Sequence, residues 1–495
     1  MKKVFGIIAL FVAFAACNKT DIPLQTSEQT AESAEGITIT ATLAPKTGGT
    51  KAVSEDAGTI VSSWEVDEHI AILYEVSSIK KVADATITAV DGAGKATISF
   101  TVDGSTADNT ACTIVYPKTA AKDDNSGVKD AATLLAAQDG TLNANLDVRV
   151  GAGKILVSTP ELDVTTQPAA QFAIFKFTVR KPDGTTAIST KPLVISTGGQ
   201  NYTITPATAT DVLYAALPAI SAQAVSFDAT DSGSKTYLCS KADVTFTAGK
   251  YYQSTLKMHE YVLLGEGHNL KWATCNIGAD NPQDYGDYFA WGATAPFYQA
   301  GHSQETPLYG SGWLSGKTGY DWASYPFMET GQSDRKHITK YTVADGETDC
   351  IWYSGTTFVG DNKTSFADYE YIDDAARKQW GPSWRTPTRL ELIALLETTK
   401  FTWTWTDNYN GTGVKGCTVT SKVSGYEGNH IFLPAAGFRN TVYLQDPSEY
   451  GFYWSSSLDS SKSNKAYSVY FNNTGFYSFN YYERNQGYPI RPVAE

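Results

Sequence analysis

The 495-residue sequence lacks the pairings that most metal and redox sites need. Its six histidines, at positions 69, 259, 268, 302, 337 and 430, are scattered. None forms an H-E-x-x-H pair, so no helix face carries two imidazoles to one zinc. No Cys-x-x-Cys occurs, which excludes a zinc ribbon and a thioredoxin-type dithiol. Without a G-x-S-x-G elbow there is no hydrolase nucleophile on a strained turn. The chain therefore reads as a non-enzyme with no cofactor. It also has no Lys/Arg cluster and carries a net charge of −13, which excludes nucleic acid as a partner. After residue 16 no run is apolar enough to cross a bilayer.

A hydrophobic fraction of 42% and a charged fraction of 18% describe a folded chain. A length of 495 residues exceeds one core and implies two to four domains. At the start, Lys2-Lys3 precede an apolar run, Val4 to Ala16, that closes as Phe14-Ala15-Ala16-Cys17. This resembles the bacterial lipobox, which implies a signal peptide over 1–17, a diacylglycerol on Cys17 and a membrane partner through that anchor. An ordinary cleaved signal with an incidental Cys is the plainer alternative. Five cysteines remain: Cys112, Cys239, Cys275, Cys350 and Cys417. The number is odd, so at least one stays unpaired within the chain, and buried free thiols are expected.

Residues 18–36 are polar and read as a flexible tether. From Ile37 to Met258 the alternation is of period two, plainest in Ile37-Thr38-Ile39-Thr40-Ala41-Thr42-Leu43 and Phe172 to Val179. This predicts antiparallel strands of sandwich type, with Asp183-Gly184 as a hairpin turn. The polar stretch Lys118 to Val128 separates sub-domains at 37–125 and 126–258. After residue 260 the texture changes, because ten of the eleven Trp lie there. Two short helices are expected: one capped by Asp373 or Asp374 and stopped by Gly381, the other opened by Thr388 with Glu391 at capping-box spacing. In the second, Leu390, Ile393 and Ala394 form the apolar stripe. Gly411-Thr412-Gly413-Val414-Lys415-Gly416 fits G-x-G-x-x-G, but it lies between two strand-like runs and reads as a hairpin, not a dinucleotide site.

The first 220 residues of the mature chain resemble the fimbrillin family of type V pili. The matching points are Thr50-Lys51-Ala52, Trp64 to Tyr74 (WEVDEHIAILY), Ile114-Val115-Tyr116-Pro117, Phe175-Lys176-Phe177 and Phe246 to Tyr252 (FTAGKYY). The resemblance implies two transthyretin-like β-sandwiches. It also implies that a trypsin-like protease cuts after a basic residue just past the first strand, here Lys51, and that a strand from another pilus subunit fills the opened groove. Such exchange works because a sheet edge presents unpaired N–H and C=O groups. An uncut first strand with a solvated Lys51 is the plainer alternative.

Residues 260–495 resemble the Fibrobacter major paralogous domain. The resemblance is carried by Leu270 to Ala279 (LKWATCNIGA), Tyr285 to Gly292 (YGDYFAWG), Trp380 to Thr388 (WGPSWRTPT), Phe432 to Arg439 (FLPAAGFR), Tyr453 to Ser457 and Ile490 to Val493. It implies an α+β, C-type-lectin-like domain after the sandwiches, in a chain that is mainly β. The triplets that hold calcium in lectin-like loops are absent, and the cysteine pair of the related formylglycine-generating enzymes is missing too. Trp313, Tyr320 and Trp322 are the candidate contacts for a glycan or protein ligand, since aromatic faces stack on sugar C–H surfaces. Packed loop aromatics are the bland alternative. The family's last strand, Tyr488 to Val493, lies inside the lectin-like domain, so the chain would accept a strand without donating one. The sequence thus points to an outer-membrane lipoprotein adhesin at a fimbrial tip. A surface glycan-capture lipoprotein outside any pilus is the second reading.

Overall fold

Alternation along Ile37–Leu43 becomes the first strand, β1, with Ile39 and Leu43 fully buried and the three threonines exposed. In the computed structural model, which describes residues 36–46, 54–56, 59–267, 269–299 and 312–495, the chain is mainly β, with 45% of residues in strands and 8% helical. A short hairpin, β2 (Ser54–Asp56) and β3 (Thr59–Val61), follows β1. Then β4 (His69–Val76), β5 (Ile79–Val90), β6 (Ala96–Val102), β7 (Thr110–Tyr116), β8 (Arg149–Leu156) and β9 (Glu161–Ala170) join β1 in a closed barrel. Its order is β1-β6-β5-β4-β7-β8-β9, around a core that includes Ile70, Ile72, Ile87, Ile98, Ile114 and Ile155.

This barrel corrects the expected boundary. Tyr116 of β7 pairs with Arg149 of β8, so the polar stretch 118–128 lies on an excursion of the first unit, and that unit runs to Ala170. The second unit uses β10 (Ala173–Arg180), β13 (Val212–Leu217) and β16 (Tyr251–Lys257) as one sheet. The facing sheet contains β11 (Thr190–Thr197), β12 (Gln200–Ile204), β14 (Ile220–Asp231) and β15 (Thr236–Phe246). Between the sheets lie Phe177, Leu193, Ile195, Leu213 and Phe246. Asp183 does form a turn, accepting hydrogen bonds from Thr185 N and Thr186 N, with Gly184 at φ +75°.

The region after residue 258, here called the head, shares a sheet with the second of the two preceding units, which together form the stem. The sheet of β15 continues through β17 (His259–Leu263) and β18 (Lys271–Ala273) to the strands Val493–Ala494 and Trp384–Arg385. The cores stay distinct, although Leu238 of β15 belongs to the head's cluster with Trp291, Trp384 and Trp454. A second clamp is the helix Ala375–Trp380, capped by Asp374 and closed by Gly381. Gly381 has φ +102°, and a Cβ there would meet Ser240 O at 2.1 Å, so only glycine lets the helix end press on β15. Next to it, Ser383 N donates to Ser240 Oγ at 2.9 Å.

The second helix, Arg389–Ala394, has the expected capping box between Thr388 and Glu391. Its apolar face is a different one: Leu392 and Leu395 are buried, while Leu390 is 68% exposed. The cause is Glu391, which turns inward to take a two-pronged bond from Arg385 at 2.8 and 2.6 Å. That fixes the helix's rotation about its axis. The Gly411–Gly416 loop joins antiparallel strands Phe401–Thr406 and Gly416–Ser421, as the hairpin reading requires.

Candidate functional site

The seat of β1 is lopsided. On one side all seven residues pair antiparallel with β6, from Ile37↔Val102 to Leu43↔Ala96. On the other, β1 meets β9 through a single parallel bridge, Thr40↔Glu161, backed by Thr40 N to Pro160 O at 3.3 Å and Ala44 N to Gln167 Oε1 at 2.9 Å. The barrel therefore closes at β1–β9 by few bonds, and the inward side chains Ile39 and Leu43 hold the strand. Each fully buried aliphatic side chain contributes roughly 1.5–3 kcal/mol.

Past Leu43 the chain breaks its alternation. Ala44 is half-buried, Pro45 is exposed, and Lys46 turns inward with its side chain fully buried. Trp64 Nε1 donates to Ala44 O at 2.8 Å and fixes this turn. The Lys46 ammonium lies 3.8 Å from the centre of the Tyr116 ring and 4.4 Å from that of Trp64, rings that meet edge to face. It sits 3.5 Å from Glu68 Oε2 and 3.6 Å from Asp147 Oδ2, and makes no hydrogen bond among the described residues. Around it the acids are tied down. Tyr116 donates its hydroxyl to Glu68, Ser62 donates to Asp147 at 2.6 Å, and Arg149 Nε holds both Asp147 oxygens at 2.9 and 3.0 Å. Burial lowers the Lys46 ammonium to about 8 against the pull of Asp147 and Glu68, and burial with the Glu68 charge pushes the Tyr116 hydroxyl far up.

Sequence reasoning missed this box. Yet two of the segments that carry the fimbrillin resemblance supply its walls, Trp64 and Glu68 from one and Tyr116 from the other. Lys51 and Cys17 lie outside the described residues.

In the head, the three candidate aromatics share one cluster but differ in burial. Tyr320 is fully buried, stacked on Phe297 at 4.8 Å with its hydroxyl donated to Tyr288 O, so its ring has no face for a ligand. Trp313 and Trp322 are half-buried on the same cluster, Trp322 edge-on to Tyr325 at 5.4 Å. Other motif residues build the core. Arg491, fully buried, donates to Asn276 Oδ1, Ala273 O, Thr274 O and Phe432 O at 2.9, 3.2, 2.6 and 2.9 Å. Arg484, also fully buried, donates to Tyr325 Oη and to the carbonyls of Tyr341, Ser463 and Lys340. His259 stacks on Trp380 at 3.6 Å, and its burial lowers it to about 3. The five thiols are free, four of them buried. Among the described residues no group of three or more His, Cys, Asp or Glu could hold a metal ion, and no helix is long and apolar enough to cross a membrane.

Residues 420–493 match a family model described as a domain of unknown function (DUF8237). No curated protein matches the chain. Among solved structures, the chain is similar to a fimbrial protein from Bacteroides ovatus, 12% identical over 93% of this chain and 100% of that one, at a TM-score of 0.25. It is similar to a fimbrial assembly protein from Parabacteroides distasonis, 12% identical over 46% and 94%, at 0.28. A third, named for cell adhesion and from Bacteroides uniformis, is 14% identical over 45% and 93%, at 0.26. At such scores these likenesses are resemblances only, and the functional reading rests on the molecule's own geometry.

Proposed function

We propose that the chain is a surface adhesin of fimbrial type, tethered by a lipid on Cys17 at the outer membrane. In this reading a protease cuts after Lys51, β1 leaves the barrel, and a strand of another pilus subunit takes its seat. The observation that carries it is the lopsided closure: β1 has a full ladder to β6 and one bridge to β9. Losing β1 exposes the edges of β6 and β9 and leaves two aliphatic slots, the surface that strand addition uses.

Val493–Ala494 pairs with both Lys271–Ala273 and Trp384–Arg385, and Ile490, Arg491 and Val493 are buried. It has no free edge to offer another subunit. The lectin-like head would then meet its ligand, a surface glycan or protein, with the half-buried rings of Trp313 and Trp322 as the contacts. N-terminal sequencing of the mature surface protein tests the central step: a new terminus at Ala52 is expected. A start at Cys17 alone would discard the cleavage.

A further inference from the structure

The seat of β1 ends in the charged, aromatic-walled box of Lys46, and the box constrains what can replace the strand. Lys46 and Arg149 balance Glu68 and Asp147 there. Once β1 leaves with Lys46, one negative charge is in excess between the faces of Trp64 and Tyr116, whose π-clouds are themselves negative. A purely aliphatic occupant would fill space and leave that charge unpaired, which is costly away from water. A cation on an extended stem restores the balance.

We infer that the strand accepted in place of β1 is basic at its end, with aliphatic side chains where Ile39 and Leu43 stand and a Lys or Arg where Lys46 stands. This rests on the strand-exchange reading and deepens it by giving the partner strand a pattern. The pattern is apolar-x-x-x-apolar-x-x-basic. Its last step is odd, because the chain switches faces through Ala44-Pro45. A simple alternating strand would turn a cation at that position outward, so the incoming segment needs a break in alternation before its basic residue. Arginine suits the box as well as lysine, since its guanidinium stacks on aromatic faces and sheds water more readily.

The test uses the full chain cut once after Lys51, with the single cut verified by mass. Labelled peptides spanning residues 36–46 then compete for the seat: the native peptide, its Lys46→Arg form and its Lys46→Met form. The native and arginine peptides are expected to bind alike, and the methionine peptide about tenfold more weakly or worse, that is ~1.4 kcal/mol or more. On the Glu68→Gln protein the preference for a cation should shrink. Equal binding of the native and methionine peptides would overturn the inference while leaving strand exchange standing. Failure of the native peptide to enter the seat at all would overturn the strand-exchange reading, and the inference with it.

Discussion

Two strands of this molecule are secured in opposite ways. β1 has one complete neighbour and one token neighbour, and it is held by Ile39, Leu43 and the Lys46 plug. Val493–Ala494 is short but lies between two strands, with the four hydrogen bonds of Arg491 just before it. Length does not decide which strand can leave. What decides it is whether both edges are paired and whether a buried polar anchor ties the strand to several other segments at once. β1's anchor, Lys46, sits just past its end on the same segment. Arg491 joins β18, the turn after it, and the strand His430–Pro434.

The largest effect should follow from removing that second anchor. Arg491→Leu leaves three carbonyls and one amide oxygen buried without their donor, and since each unsatisfied buried acceptor costs about 1–3 kcal/mol, the head should lose about 3–5 kcal/mol. Denaturant unfolding followed by near-ultraviolet tryptophan signals would read it, because ten of the eleven Trp lie after residue 260. Hydrogen exchange on β1 amides should stay as in the parent. A matching loss of protection on β1 would mean that the two strands belong to one cooperative unit, and the contrast would fail.

Acid offers a smaller effect on the same side. His259, in the strand that links stem to head, is buried neutral against Trp380, which in turn meets Trp384 edge-on at 5.2 Å. Folded His259 titrates near 3 and an unfolded histidine near 6.5, so between those values the unfolded chain binds the extra proton. Its contribution is whole above pH 6.5 and is lost as pH falls toward 3, amounting to about 2 kcal/mol by pH 5. His259→Phe should flatten that part of the stability–pH curve. An unchanged slope would place the acid sensitivity elsewhere.

Much of this arrangement was legible in the sequence. Period-two runs located β1, and the helix caps at Asp374 and Thr388 stood where Asp, Thr and Glu at capping spacing put them. What escaped depended on distant partners. The pairing of Tyr116 with Arg149 crosses more than thirty residues, so the polar stretch 118–128 looked like a boundary although its flanks are neighbours. Leu390 faces water because Arg385 draws Glu391 inward, a side-chain event that periodicity does not record. Tyr320 looked available because its surroundings are loop-like, but loops of this head pack on each other. Lys46 was hidden by parity: a lysine one residue beyond a proline, off the inward register, reads as solvated.

The smallest expected effect bears most directly on whether β1 can leave alone. On the β9 side, beyond the bridge at Thr40, it keeps the bond from Ala44 N to Gln167 Oε1 at 2.9 Å. Gln167→Ala removes an exposed side chain and one acceptor, worth about 0.5–1.5 kcal/mol. Because the ladder to β6 is untouched, that loss should appear as faster exchange of the β1 amides, with global unfolding unmoved. Such a split would mean that β1 opens in a step of its own before the barrel does, which is what a replaceable strand requires. If the melting temperature fell in proportion instead, β1 and the barrel would open as one body. Cleavage at Lys51 would then leave the strand in place.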